Sequence, residues 1–167
     1  MPDLKIRKFP ENILRRKAAR VEKVTISERS ILVDMASAMY LSQGVGLAAV
    51  QVGIDKQLAV IDVGEGLIKL VNPVILKREG LETQEEGCLS CPGLYVKIKR
   101  ARKVLVSYID EKGDITEINA SGLLARAVQH ELDHLSGKLI IDYLGPVKKI
   151  LAKKKISKSA GYCGVKL

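Results

Sequence analysis

The segment His130-Glu131-Leu132-Asp133-His134 sets both histidines of the chain four residues apart with a glutamate between them. On a helix, positions i and i+4 share a face, so two imidazoles there can reach one ion. A divalent ion beside a carboxylate is a water-activating device: the ion acidifies the water and the carboxylate takes its proton. The chemistry implied is metal-assisted hydrolysis.

An open catalytic site of this kind takes three protein ligands, and no third histidine exists. The stretch follows the metzincin signature as far as Gly137, but Ile140 stands where that signature needs its last histidine, which rules a metzincin out. Asp142 is an acid close downstream, poorly placed ahead of a lysine-rich tail. Cys88 and Cys91 remain, in Glu86-Gly87-Cys88-Leu89-Ser90-Cys91-Pro92-Gly93. One cysteine could complete an open Cys-His-His site, or both could close a Cys2His2 structural site. Zinc fingers keep the two pairs about a dozen residues apart, whereas residues 92–129 lie between Cys91 and His130. A closed site would also leave Glu131 no water to activate, so the open reading is favoured. A thioredoxin-like use of the CxxC is weaker, because no βαβ unit surrounds it.

These groups need a helix to present them. Ser121 reads as its N-cap and Gly137 as its stop, with Leu124, Ala127, Val128 and Leu135 as an apolar stripe. At 100° per residue Glu131 falls inside that stripe, the histidines flank it, and Arg126, Gln129 and Asp133 point elsewhere. A carboxylate in a core-facing stripe is costly unless it is paired or employed. A second helix is expected over Ile26 to Gln43, capped by Ser27, with Ile31, Leu32, Met35 and Met39 on one face and Gly44 as the stop. Gly44 to Gln51 reads as a loop or irregular strand. Leu58 to Val63, Lys69 to Leu76, Tyr95 to Arg100, Val104 to Ile109 and Ile115 to Ala120 read as strands between turn signals. Short sequential strands with one helix among them favour antiparallel pairing. The expected class is α+β: antiparallel strands around a central metal-binding helix, with N-terminal and C-terminal helices, in one domain spanning 1–167.

A hydrophobic share of 47% against 28% charged residues suits a globular chain, and neither a membrane-length apolar run nor a signal-peptide core is found. A cytoplasmic protein is expected. An odd cysteine count (Cys88, Cys91, Cys163) argues against a disulfide framework. Much of the net charge of +9 comes from seven lysines after Asp142, at 148, 149, 153, 154, 155, 158 and 166. From about residue 146 the pattern Val147, Ile150, Leu151 suggests a basic helix with those residues docked. Its lysines suit either solvent or phosphate contacts. With one Phe, no Trp and no tyrosine among these lysines, a base-stacking surface is poorly supported.

Three segments together, Gly44 to Gln51 (GVGLAAVQ), Glu86 to Ser90 (EGCLS) and Gln129 to Gly137 (QHELDHLSG), give the chain its family likeness. It resembles peptide deformylases over nearly its whole length, including Lys8-Phe9-Pro10 and an expected strand at Ile141-Asp142-Tyr143-Leu144. The resemblance implies hydrolytic removal of the N-formyl group from the starting methionine of nascent polypeptides. It assigns Cys88, His130 and His134 to one divalent metal, Fe2+ in cells with Zn2+, Ni2+ or Co2+ as substitutes. Glu131 would be the proton shuttle, while Gln51 and the backbone N–H of Leu89 would stabilise the oxyanion. Val45, Gly46 and Gly87 would contact an extended substrate backbone, and a ribosome contact would fall to the lysine-rich tail. Glu86 and Asp133, the latter through Arg100, would orient the imidazoles from behind; the plainer reading makes them surface acids. Val50, Cys91, Lys99, Ile140 and Ile141 depart from the family's pattern, the last two where larger residues often line the pocket for the methionine side chain.

Overall fold

The computed structural model describes residues 4–160, so Cys163 and Lys166 lie outside the described residues, as does the side chain of Lys158. The elements are α1 (Ile26–Leu41), β1 (Gly46–Ala48), β2 (Leu58–Ile61), β3 (Ile68–Glu79), β4 (Glu82–Gly87), β5 (Tyr95–Arg100), β6 (Lys103–Ile109), β7 (Ile115–Ser121), α2 (Gly122–Leu135) and α3 (Pro146–Ala160). A five-stranded sheet runs β1-β2-β3-β6-β7 and a two-stranded sheet pairs β4 with β5, all antiparallel. The α+β class and the central helix are as expected.

All four side chains of β2 are buried, and strand alternation explains how. Leu58 and Val60 face Leu32, Met35 and Met39 of α1. Ala59 and Ile61 face Leu124, Ala125 and Val128 of α2. The sheet is therefore covered on both faces at this point, which a continuous apolar run requires. In β3 the register slips between Val71 and Val74. Asn72 takes φ 50 there, and Pro73 has no N–H to give the ladder. The freed Asn72 side chain brackets Val21, accepting from its N–H at 2.9 Å and donating to its carbonyl at 2.7 Å.

Several local expectations are corrected. Helix α1 is capped by Thr25, not Ser27: Thr25 Oγ1 accepts from Ser27 N at 3.2 Å, and Glu28 accepts from Thr25 N at 2.9 Å, a capping box. The helix ends at Leu41, with the left-handed turn at Gln43 and not Gly44. Residues Ile140–Tyr143 form a short 3-10 helix rather than a strand, because Asp142 folds back to accept from Leu139 N at 2.9 Å. Strand β4 was not foreseen, since its charged sequence carries no apolar signal. In α3 the docked residues are Ala152 and Ile156, whereas Val147, Ile150 and Leu151 are more than half exposed. No helix among the described residues is long and apolar enough to cross a membrane.

Candidate metal centre

Helix α2 begins after Ser121, and its buried face packs on β1, β2, β6 and β7. One turn from its end, His130 and His134 bring their Nε2 atoms to 3.2 Å. Cys88, the first residue after β4, sets its Sγ 3.2 Å from His134 Nε2. The donor atoms of Cys88, His130 and His134 all lie within 4.8 Å of one another. Cys91 is fully buried among Leu14, Leu94, Ile98 and Ile141 and is no part of that cluster. Asp142 is tied to Arg15 and to Lys149 (2.7 Å), away from it.

Two imidazole nitrogens and a sulfur crowded this closely need a proton or a cation between them, because bare lone pairs would repel. The electrostatics say the same. Cys88 is held well below the usual thiol range, by a hydrogen bond from Cys91 and by the histidines, against the opposing effect of burial. Burial pushes His130 down, but Cys88 and Glu86 outweigh it and leave the imidazole well above its ordinary value. A thiolate with two imidazoles suits Zn2+, Fe2+, Ni2+ or Co2+, so the residues present fit a divalent ion.

Glu131 is 3% exposed, and burial raises its pKa. Its Oε2 and His134 Nδ1 are, among the described residues, the buried side-chain polar atoms with no hydrogen-bond partner. Such orphans are costly unless the site employs them. The carboxylate lies against Gly46 of β1, where any side chain would collide with it.

Behind His130 stands a charge network that the sequence only partly revealed. Glu86 Oε2 lies 3.0 Å from His130 Nδ1. Arg100 donates to Glu86 from Nε (2.6 Å) and Nη2 (2.8 Å), and Arg126 donates from Nη1 at 2.7 Å. Burial alone would raise the Glu86 pKa, yet Arg100 and His130 bring it down to about 2. A carboxylate so held can only accept, so His130 Nδ1 carries a proton and Nε2 is the nitrogen left to meet an ion. Arg100 also reaches Asp133 at 2.8 Å, and the Tyr143 hydroxyl donates to the same oxygen at 2.6 Å. The surface-acid reading of Glu86 and Asp133 does not hold. Gln129 does leave the catalytic face, but into a second buried face where it clasps the backbone of Ala101, whereas Arg126 is buried and lines the same cavity as His130 and Glu131. Arg126 escaped notice because a charged residue off the apolar stripe reads as solvated.

Gln51 is buried, its Oε1 accepting from Ala48 N at 2.8 Å and its Nε2 donating to Ser90 Oγ at 3.2 Å, 3.8 Å from Cys88 Sγ. Leu89, Val45, Gly46 and Gly87 line the same cavity of about 510 Å3 as Cys88, His130 and Glu131. Ile140 and Ile141 do not line it: both are buried in the cluster around Cys91. A larger cleft of about 830 Å3 opens beside Lys99, Arg100 and Asp133, but it holds none of the three donors. Chemistry assigns the site to the smaller one. Its walls include strand edges, since among the described residues β1 pairs only with β2 and β4 only with β5, and an open edge accepts an extended peptide as a further strand.

Three convergent donors, a buried carboxylate and a strand-edged groove on an α+β scaffold define a metal-dependent hydrolase. Residues 3–150 match the family described as polypeptide deformylase. The chain is 52% identical over 137 residues to a peptide deformylase of Caldanaerobacter subterraneus subsp. tengcongensis, covering 82% of this chain and 86% of that one. It is 44% identical over 165 residues to that of Pseudoalteromonas translucida, covering 97% and 99%. The crystal structure of a peptide deformylase from Legionella pneumophila superposes with a TM-score of 0.93 at 42% identity, covering 98% of each chain. The Ehrlichia chaffeensis enzyme in complex with actinonin gives 0.92 at 38% identity, covering 95% and 98%. The chain belongs to the polypeptide deformylase family.

Proposed function

We propose that the chain removes the N-formyl group from the initiator methionine of nascent polypeptides, releasing formate, and that residues 1–167 form one such domain with a basic C-terminal helix. The observation that carries this reading is the meeting of Cys88, His130 and His134 with the orphaned carboxylate of Glu131 at the head of the groove. A divalent ion held by these three side chains supplies Lewis-acid polarisation and acidifies water. Fe2+ is our assignment in cells, with Zn2+, Ni2+ or Co2+ as substitutes.

The chain's own groups do the rest. Glu131, desolvated and raised in pKa, takes a proton from the attacking water and gives it to the departing nitrogen. Gln51 Nε2 and the Leu89 N–H donate to the oxygen on which charge develops at the formyl carbon. Val45, Gly46 and Gly87 receive the peptide backbone along the edges of β1 and β4. Glu86 fixes the proton of His130 on Nδ1, with Arg100 and Asp133 holding Glu86 and Tyr143 in place.

The substrate arises at the ribosome, and the free thiols of Cys88 and Cys91 suit a reducing cytoplasm. Helix α3 carries Lys148, Lys149, Lys153, Lys154 and Lys155 with exposed Val147, Ile150 and Leu151, and we assign it to ribosome contact. Formate release from an N-formyl-Met peptide by anaerobically purified protein, with metal content measured in parallel, tests the function. Glu131→Ala should keep its metal and lose about 10²- to 10⁴-fold in rate. Parental turnover by that variant would refute the role of Glu131. Actinonin should inhibit the parent.

A further inference from the structure

Cys91 belongs neither to the donor cluster nor to the proposed chemistry, yet among the described residues it is the buried thiol set beside the cysteine of that cluster. The backbone places it there. Cys91 N donates to Cys88 O at 3.0 Å, closing the turn Cys88-Leu89-Ser90-Cys91. Such a turn keeps its end Cα atoms within about 7 Å, and a disulfide needs roughly 4.4–6.8 Å. Both cysteines line the cavity, but Cys88 is partly exposed, whereas Cys91 is fully buried in the apolar cluster against which Cys88 packs. Solvent oxidants therefore meet Cys88 first, with Cys91 held directly behind it.

We propose that Cys91 is the resolving thiol of Cys88, so that peroxide attack on the metal-free site ends in a reversible Cys88–Cys91 disulfide. In the first step the Cys88 sulfur attacks one oxygen of hydrogen peroxide; the O–O bond breaks, a sulfenic acid forms and the thiol proton leaves with the other oxygen as water. In the second, the Cys91 sulfur displaces that hydroxyl, the S–S bond forms and a second water leaves. Sulfur is oxidised by two electrons overall and the peroxide is reduced. An external dithiol returns both thiols. Because Cys88 is needed for the ion, the disulfide switches the site off, and it also spares Cys88 from sulfinic and sulfonic acids, which do not revert. The resting protein keeps both thiols free. The disulfide chemistry of the metal-free site stands alone; its suppression by metal and its effect on metal uptake rest on the proposed role of Cys88.

Trypsin cuts after Arg78 and Lys97, leaving both cysteines on one peptide, 79–97. Metal-free parent treated with hydrogen peroxide, digested without reduction and weighed should give this peptide about 2 Da light, restored by dithiothreitol together with metal uptake. Cys91→Val should instead give it roughly 32 or 48 Da heavy, with no recovery of metal. The parent alone decides the case: a heavy peptide, or a cross-link to the peptide carrying Cys163, overturns the proposal. Metal-loaded parent should resist the same dose. Equal oxidation with and without metal would count against Cys88 as a ligand while leaving the disulfide result intact.

Discussion

Replacing Gly46 by alanine separates two roles that this residue could hold. Gly46 lies on the edge of β1 that lines the groove, so a loss there could reflect weaker substrate pairing. The structure points instead to Glu131. A Cβ on Gly46 would lie 3.0 Å from the Glu131 carboxyl carbon and 3.2 Å from its Cγ, and nearer still to Oε1. Ordinary contact begins at 3.4 Å, so the carboxylate must retreat by about 1 Å. It is 3% exposed, and what open space it has lies toward the cavity, away from its present position. A 1 Å displacement of a reacting group costs about 10²-fold, or about 2.7 kcal/mol of transition-state stabilisation, with a further 1–3 kcal/mol of folding stability lost to overpacking. Gly46→Ala should therefore lower kcat about 10²-fold, leave KM within a few-fold and bind metal at the parental ratio. In a Glu131→Ala background, which removes the colliding carboxylate, the same change should cost little more, since groups acting as a unit are non-additive. An unchanged kcat with a raised KM would refute the steric argument and return Gly46 to a backbone contact alone. Loss of metal would refute it differently, by showing that β1 had moved.

Glu86→Gln keeps an acceptor for His130 but removes the charge between Arg100 and Arg126. Metal affinity, measured by competition with a chelator, should fall about 10-fold or more, and an unchanged Kd would dismiss the network as structural only. Glu28, whose pKa is lowered to about 2 by Lys56 and Thr25, should stabilise the fold relative to Glu28→Gln. A depressed folded pKa means that this advantage is whole above the ordinary value of 4.5 and fades as pH falls toward 2; urea midpoints of both proteins across that range should converge, and a constant gap would disprove the linkage. Truncating α3 would uncover the cluster around buried Ile156, so the ribosome assignment is better tested by Lys148→Ala with Lys154→Ala. Each lost phosphate contact should reduce the salt slope of ribosome binding by about 1, with hydrolysis of a short formyl-peptide unchanged. Parental affinity and slope would leave these lysines as solvated residues.

The parts of the site readable in the sequence were those set by helical period. Spacing alone put His130, Glu131 and His134 on one face, and it was correct that the face is buried. The same period misjudged α3, because a lysine-rich helix offers several shallow apolar stripes and only packing decides between Ile150 and Ile156. Cys88 could be narrowed but not chosen: CxxC spacing is silent on which sulfur joins the histidines, and the fold settles it by leaving Cys91 fully buried in an apolar cluster, outside the three donors. Strand β4 was invisible because it lies on the edge of a two-stranded sheet, where five of its six residues are at least partly exposed and the sequence Glu-Thr-Gln-Glu-Glu-Gly has no pattern to show. Yet this strand delivers Glu86 and Cys88 to the centre.

The buried charges make sense as a device for one imidazole. Glu86 and Asp133 stand against Arg100 and Arg126, so the network is neutral as a set before His130 is counted. Such networks seldom add stability over apolar packing. What this one does add is a proton fixed on His130 Nδ1, which leaves Nε2 free to face Cys88 and His134. Among the described residues His134 Nδ1 meets no such partner; its ring is held by burial and by the Nε2 contacts with Cys88 and His130. The two imidazoles are thus unequally held. Perturbing Glu86 should therefore reach the metal centre through the Nδ1 proton of His130, whereas perturbing the packing around the end of α2 should reach it through His134.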